Sequence, residues 1–362
     1  MTDVIVAGHL CLDIIPDLSA HAAGQFDAAF QPGRLVHVGA ASTATGGAVA
    51  NTGLALQRLG IETRLLARVG ADQFGRIIKQ MVAEHAPALA DGITVSAETS
   101  TSYSVVISPP GSDRRFLHHP GANDDFCADD VRDEDLRDAR LFHFGYPPLM
   151  ARMFADDGIQ LTEMFRRVKS LELTTSLDTA LPDRDSAAGR ANWLTILKNT
   201  LPHVDIFLPS LDEILFMLGR KVDTPLSAQL LTEVSDELLA MGAKIVVLKL
   251  GNRGLYLRAA PAEVLQNMGR VRPTQLAAWA NYENWSPCFK VDVVGTTGSG
   301  DATIAGFLAA LLRDVSPVQA MNIALAVGAC NVEAADALSG IRPWGDTLRR
   351  INAGWRKLDR AG

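Results

Sequence analysis

Two kinds of hydrophobic pattern alternate along the chain. Short runs that are apolar almost throughout recur at DVIVAG (3–8), RLLARVG (64–70), ARLFHFG (139–145), TTSLD (174–178), DIFLPS (205–210) and AKIVVLKLG (243–251). Between them lie stretches whose apolar residues return every three or four positions: NTGLALQRLG (51–60), FGRIIKQMVAEHA (74–86), LDEILFMLG (211–219) and SAQLLTEVSDELLAMG (227–242). A strand with one wet face alternates apolar and polar residues, whereas a strand apolar on both sides is buried on both. Such strands alternating with amphipathic helices predict a doubly wound α/β fold, a mostly parallel sheet covered on both faces.

Two regions break the rhythm. Residues 12–45 are rich in Ala, Gly and His, and TSTSYSVVISPPGSDRRFLHHPGAN (99–123) carries two β-prone runs around PPGSD. Pro, Gly, Ser and Asp clustered between β-prone runs predict a hairpin. Packed on an α/β frame, that hairpin is either a small sheet over a cleft or an edge extension of the main sheet. No internal repeat, low-complexity tract or Pro/Ser linker divides the chain, so one domain over 1–362 is expected, with these strands inserted at about 12–45 and 99–123.

Glycine placement brings in candidate chemistry. In VVGTTGSGDATIAGFLAALL (293–312) a helix is expected from about 300 to 312, with Gly298, Ser299 and Gly300 as its N-terminal turn. Amides of a first helical turn have no partner within the helix, and the helix dipole adds positive potential there. Without a Cβ in the way, they can converge on an oxyanion. Asp301, in the same turn, is then placed to take a proton from a hydroxyl while the amides hold a transferring phosphoryl group. Taken alone, the motif is weak and reads more simply as a glycine turn capped by Asp. TGGAVANTGLALQRLG (45–60) likewise sets Gly46 and Gly47 before a helix with Asn51 in its first turns, a hinge with an amide able to bind hydroxyls or a simple helix entry. VGADQFGR (69–76) is a tight turn into a helix, and in KLGNRGLYL (249–257) Gly251 and Gly254 bracket a turn between strands. No GxxxxGK[ST] occurs, and the first strand is followed by GHLCLD, with Asp13, where a dinucleotide fold would place GxGxxG.

Charge and composition narrow the partners. With 41 Asp+Glu against 34 Lys+Arg the net charge is -7, which argues against a nucleic-acid surface. An anionic ligand must then be held by local devices: helix N-termini, a few basic residues or Mg²⁺. Cys11, Cys127, Cys288 and Cys330 are scattered without metal spacing and read as reduced thiols. The N-terminal MTDVIVAGHLCLDIIP has no basic leader and is interrupted by Asp13, so neither a signal peptide nor a membrane span is expected, and the location expected is cytoplasmic.

In order along the chain, these segments resemble the ribokinase-like (PfkB) carbohydrate kinases. TGGAVANTGLALQRLG looks like the family's N-terminal signature and VVGTTGSGDATIAGF like its C-terminal one. VGADQFGR, LPSLDEI and KLGNRG match landmarks between them, and RRFLHHPGAN resembles the lid segment. The resemblance runs from Gly8 to about Gly340. It implies an ATP- and Mg²⁺-dependent kinase in which Asp301 is the base and Gly298, Ser299 and Gly300 form the anion hole. It also implies that Asp13, Gly46, Gly47 and Asn51 hold sugar hydroxyls, that Gly251, Gly254 and nearby Lys249 lie along the nucleotide, and that the 99–123 hairpin joins strands of 12–45 in a lid that excludes water and often forms a dimer interface in this family.

Two departures stand out. The family's Asn-x-x-Glu, which organises Mg²⁺ through water, is here Ser210-Leu211-Asp212-Glu213, with Glu213 kept. Gly295 stands where the family usually has an Asp that helps bind an activating K⁺, so weak or absent K⁺ activation is expected. The acceptor expected from the Asp13/Asn51 pair is an unphosphorylated sugar or polyol. A nucleoside is the alternative, through stacking on Tyr103, Phe116 or Phe144; Arg114 and Arg115 are either ligands for a substrate anion or solvated hairpin charges. A catalytically silent sugar- or nucleotide-binding regulator is the reading from another class, which the retained Asp301 and its glycines oppose.

Overall fold

The computed structural model describes residues 2–21, 28, 31–111 and 114–359. Thirteen strands are found there: β1 Val4–Gly8, β2 Cys11–Ile15, β3 Ser42–Gly46, β4 Thr63–Gly70, β5 Ile93–Ser96, β6 Tyr103–Ile107, β7 Arg115–His119, β8 Leu141–Gly145, β9 Thr174–Leu177, β10 Ile206–Phe207, β11 Ile245–Lys249, β12 Leu255–Ala259 and β13 Glu283–Ser286. Nine of them form the main sheet, in the order β13-β12-β11-β10-β9-β8-β1-β4-β5. From β5 to β11 neighbouring strands are parallel, and only the β11–β12–β13 end is antiparallel. Each strand-like run singled out above is a strand of this sheet, as the doubly wound pattern predicts.

Successive residues of β1 feed opposite faces. Val4 and Val6 enter one apolar cluster, while Ile5 and Ala7 enter the other. The first cluster is roofed by helices Ala48–Arg58, Ser299–Leu312 and Pro317–Asn331. The second is covered by helices Ile159–Ser170, Leu211–Met217 and Ala228–Ala240. Ser299–Leu312 is apolar nearly all round because it is enclosed between the Ala48–Arg58 and Pro317–Asn331 helices.

The ambiguous hairpin is settled by a second, separate sheet of order β3-β2-β6-β7. β6 and β7 pair antiparallel, β2 joins β6 in parallel, and β3 closes the other edge. It is a lid sheet and not an extension of the main one. Of the PPGSD turn, Ser112 and Asp113 lie outside the described residues, as do 22–27, 29 and 30 of the 12–45 segment.

The topology also marks a site. From β1 the chain proceeds to β4 on one side, while from β8 it proceeds to β9 on the other, so strand order reverses between the paired strands β1 and β8. Crevices at the carboxyl ends of such strands are where open α/β sheets bind ligands. Here those ends are Gly8 and Gly145, which face each other in register.

Candidate active site

Asp301 lies in the first turn of Ser299–Leu312, only 3% exposed. The turn before it needs Gly298: its φ is 69°, and a Cβ there would meet the Ala337 Cβ at 2.7 Å. Three side chains donate to the carboxylate. Tyr146 Oη reaches Oδ2 at 2.8 Å and Oδ1 at 2.9 Å, Asn51 Nδ2 reaches Oδ2 at 3.0 Å, and Thr52 Oγ1 reaches Oδ1 at 3.5 Å. Burial raises the Asp301 pKa above the ordinary carboxylate value, against the opposing pull of Lys249, Asn51 and Tyr146. A carboxylate of raised basicity, next to first-turn amides with no partner inside their helix, can accept a proton while an anion is held beside it.

Asp301 and Gly298 open into a cavity of about 1130 Å³ that Asp13, Gly47 and Asn51 also line. Gly46 adjoins it, since a Cβ there would lie 2.5 Å from Asp13 Oδ2. Gly47, with φ 89°, lets the chain pass the His9 carbonyl, which a Cβ would meet at 2.4 Å. The predicted acceptor residues are therefore gathered around the predicted base. Asp13 is also raised by burial, with Cys11, Ser104 and Arg114 acting in the opposite sense. His9, 2% exposed, has no hydrogen-bond partner on either ring nitrogen, and the Asn51 Oδ1 has none either. Burial, with His118 alongside, pushes His9 down to about 3, so it faces the cavity as a neutral ring. Buried polar atoms without partners are rare, and these border the cavity.

Lys249 stands on the other side of Asp301, its Nζ 2.5 Å from Asp178 Oδ1 and near Gly300. Glu213 closes a capping box on Leu211–Met217: its Oε2 accepts from the Ser210 amide at 2.7 Å, Ser210 Oγ accepts from the Glu213 amide at 3.3 Å, and Thr179 Oγ1 adds a bond at 3.0 Å. Asp178, Glu213 and Asp301 thus surround one ammonium. Asp178 is pushed up to about 8 by burial and by Glu213 and Asp301, which outweigh Lys249. The unpartnered Asp178 Oδ2 and the surplus of negative charge suit a divalent cation that keeps most of its waters. No three ligating side chains among the described residues form a closed metal cage.

A second cavity of about 360 Å³, lined by Ser210, Asp212, Lys249, Gly251 and Arg253, lies beyond this cluster. Gly251 borders it, with φ 60° and open space at its Cβ position. Gly254 does not border it and is pressed against the Ser286 carbonyl, 2.0 Å from where its Cβ would stand. Gly295 packs against the Ala334 and Ala335 carbonyls, and Asp292 is exposed to solvent.

Sequence reasoning missed Tyr146, Asp178 and His9. All three stand at or just past the carboxyl end of a parallel strand, and that position was the available signal. Of the aromatic residues considered for stacking, Phe116 lines the first cavity, Phe144 is buried in the core, and Tyr103 packs on Phe74. Arg114 reaches from the lid to the hydroxyls of Thr297 and, at 3.0 Å, Thr296, so it ties the lid to the glycine turn. Arg115 lies exposed on β7.

The sequence model of the pfkB family carbohydrate kinases matches residues 1–343. An uncharacterized sugar kinase of Archaeoglobus fulgidus is 26% identical over 260 residues, which are 72% of this chain and 87% of that protein. Fructokinase-1 of Zea mays is 24% identical over 321 residues, 87% of this chain and 85% of its own. Among solved structures, Arabidopsis thaliana ribokinase complexed with ribose and ATP superposes with a TM-score of 0.73 at 19% identity, covering 96% of this chain and 98% of that one.

Proposed function

The chain belongs to the pfkB family of carbohydrate kinases, phosphotransferases with an alcohol group as acceptor, and from that premise we propose that it phosphorylates a hydroxyl of an unphosphorylated sugar or related polyol with ATP. The observation that carries this reading is one cavity in which Asp301, at a helix N-terminus, meets Asp13, Asn51 and an unpartnered His9.

Asp301 takes the proton of the acceptor hydroxyl as its oxygen bonds to the γ-phosphorus. The bond from that phosphorus to the β,γ-bridging oxygen breaks, and ADP leaves. Amides of residues 298–300 face the charge that builds on the transferring group. Asp13 accepts from one sugar hydroxyl, while Asn51 Oδ1 and the neutral His9 ring offer further partners. Lys249, with Gly251 beside the second cavity, lies along the nucleotide. Asp178 and Glu213 are the residues that would hold Mg²⁺, which neutralises phosphate charge when bound.

Phe116, Pro148, Leu149, Phe154 and Leu181 give the acceptor cavity an apolar wall beside its polar groups. That wall favours a second reading, a nucleoside acceptor whose base rests on it. A silent regulator is disfavoured by the assembled base and glycine turn. No helix among the described residues is long and apolar enough to cross a membrane; cytoplasmic residence, a single domain over 1–362 and dimerisation through the lid complete the proposal. Phe116 and Leu117 on β7, 55% and 58% exposed, offer apolar surface for such a dimer.

The test is ADP release from Mg·ATP across a panel of sugars, sugar acids, sugar phosphates and nucleosides. Strong turnover with a free sugar supports the first reading, and turnover confined to nucleosides supports the second. Silence across the panel with ATP still bound by calorimetry would overturn both.

A further inference from the structure

At the carboxyl end of β8 the chain turns through Tyr146 at φ 66°, a left-handed conformation unusual for so large a residue. Strain of this kind persists where the surroundings enforce it, and here they do. A Cβ on the preceding Gly145 would lie 2.2 Å from the Ala48 Cβ, so the strand end is pressed against the Ala48–Arg58 helix. The turn aims the phenol into the acceptor cavity, beside the His9 ring at 6.2 Å between centroids. There its hydroxyl donates to both oxygens of Asp301, at 2.8 and 2.9 Å.

A hydroxyl at hydrogen-bond distance from the base, inside the acceptor cavity, stands where an acceptor hydroxyl must stand to be deprotonated. We propose that Tyr146 guards the base: with no acceptor bound, its hydroxyl fills the acceptor-hydroxyl position, keeps water out of it, and so suppresses hydrolysis of bound ATP. This rests on the reading of Asp301 as the base. The suppressed reaction uses the same machinery as transfer. Water would lose a proton to Asp301 while its oxygen bonds to the γ-phosphorus, the bond to the bridging oxygen would break, and ADP and phosphate would leave. Water is the most abundant competitor for any such base, and its exclusion is a general need of phosphoryl transfer.

Tyr146 meets that need from the main frame, independently of lid position. An arriving acceptor displaces the phenol and takes over its bond to Asp301. The phenol is itself a poor acceptor, because burial and the Asp301 and Asp178 carboxylates hold its proton well above the ordinary tyrosine range. Tyr146 is thus a positioning residue whose loss should change how water and acceptor are partitioned.

The experiment needs only Mg·ATP. Tyr146→Phe removes the hydroxyl, and Tyr146→Gly removes the whole guard while suiting the left-handed backbone, which protects against a mere folding failure. ADP release without acceptor is expected to rise at least tenfold in both variants. The rise should vanish when Asp301→Asn is added, a control that a purely structural role would not satisfy. Unchanged hydrolysis in both variants would overturn the proposal, as would phosphate on Tyr146 by mass spectrometry after incubation of the native protein with Mg·ATP, which would make it an acceptor. If Asp301→Asn alone leaves sugar transfer intact, the reading of the base fails instead, and that result is separable from the two preceding ones.

Discussion

The two sides of Asp301 are built on opposite terms. Toward the second cavity, polar groups are consumed by one another: Lys249 pairs with Asp178, and Glu213 closes the cap on Ser210 and takes a bond from Thr179. Toward the lid, His9 and the Asn51 Oδ1 are buried with nothing to bond. Apart from Asp178 Oδ2, the first side is a finished network that fixes geometry before any ligand arrives. The second is unfinished, and an acceptor completes it. In the proposed reading, one side holds a nucleotide in register while the other discriminates among acceptors, which gives reason for this division.

The sharpest way to break the contrast is at the residue both sides share. Asp301→Asn should lower turnover by several orders of magnitude while calorimetry shows ATP binding nearly intact, since the proton acceptor is lost and the nucleotide side is untouched. Next comes the finished side. Lys249→Met leaves Asp178, which is 0% exposed, without its donor and should cost about 1–3 kcal/mol of stability in denaturant unfolding, the range for a buried polar group left unsatisfied. Lys249→Met combined with Asp178→Leu should recover part of that loss, which would not occur if the pair were merely incidental. On the unfinished side, Asn51→Ala should cost about 1.5–3 kcal/mol in kcat/KM, a drop of roughly 10- to 150-fold, with little change in melting temperature.

Acidity offers a gentler probe. Burial raises Asp301 above the ordinary carboxylate value, so activity should fall as pH drops through that raised pKa. The stability effect has the opposite sign: a carboxyl with a raised folded-state pKa binds more protons folded than unfolded, so it costs stability as pH rises. For Asp178, raised to about 8, the window runs from the ordinary carboxylate range up to about that value, and Asp178→Asn should flatten the slope of stability against pH there. Smallest of all is the expected response to K⁺. With Gly295 packed against the Ala334 and Ala335 carbonyls and Asp292 exposed, exchange of K⁺ for a non-coordinating cation should change turnover less than about twofold, since neither residue supplies a buried carboxylate for the ion.

Much of the frame was legible because burial on two faces leaves a plain mark: VIVAG and IVVLK could hardly be anything but interior strands. The glycine turns were legible because positive φ and close approach select for that residue, as Gly47 and Gly298 show. Ser210-Leu211-Asp212-Glu213 read as a metal motif with a substitution, and the structure adds that serine and glutamate cap one helix reciprocally, a task serine performs as well as asparagine. Tyr146 left no such mark. Gly-Tyr-Pro-Pro reads as a turn after a strand, and nothing local says that its side chain crosses 155 positions of sequence to meet Asp301. Asp178 was hidden likewise, since its meaning depends on Lys249, 71 residues later.

The enclosure of the Ser299–Leu312 helix has a consequence for evolvability. A helix buried on nearly every side cannot drift without disturbing the core, so Asp301, the proposed base, is anchored to the packed interior of the molecule. The walls of the proposed acceptor cavity come from elsewhere, from β7 of the lid and from the connections around Leu149 and Leu181. Substitutions there can reshape what is recognised without moving the atoms that react. Acceptor preference and chemistry are therefore separately mutable, and a library confined to Phe116, Leu149, Phe154 and Leu181 should yield new acceptor preferences in proteins that still fold.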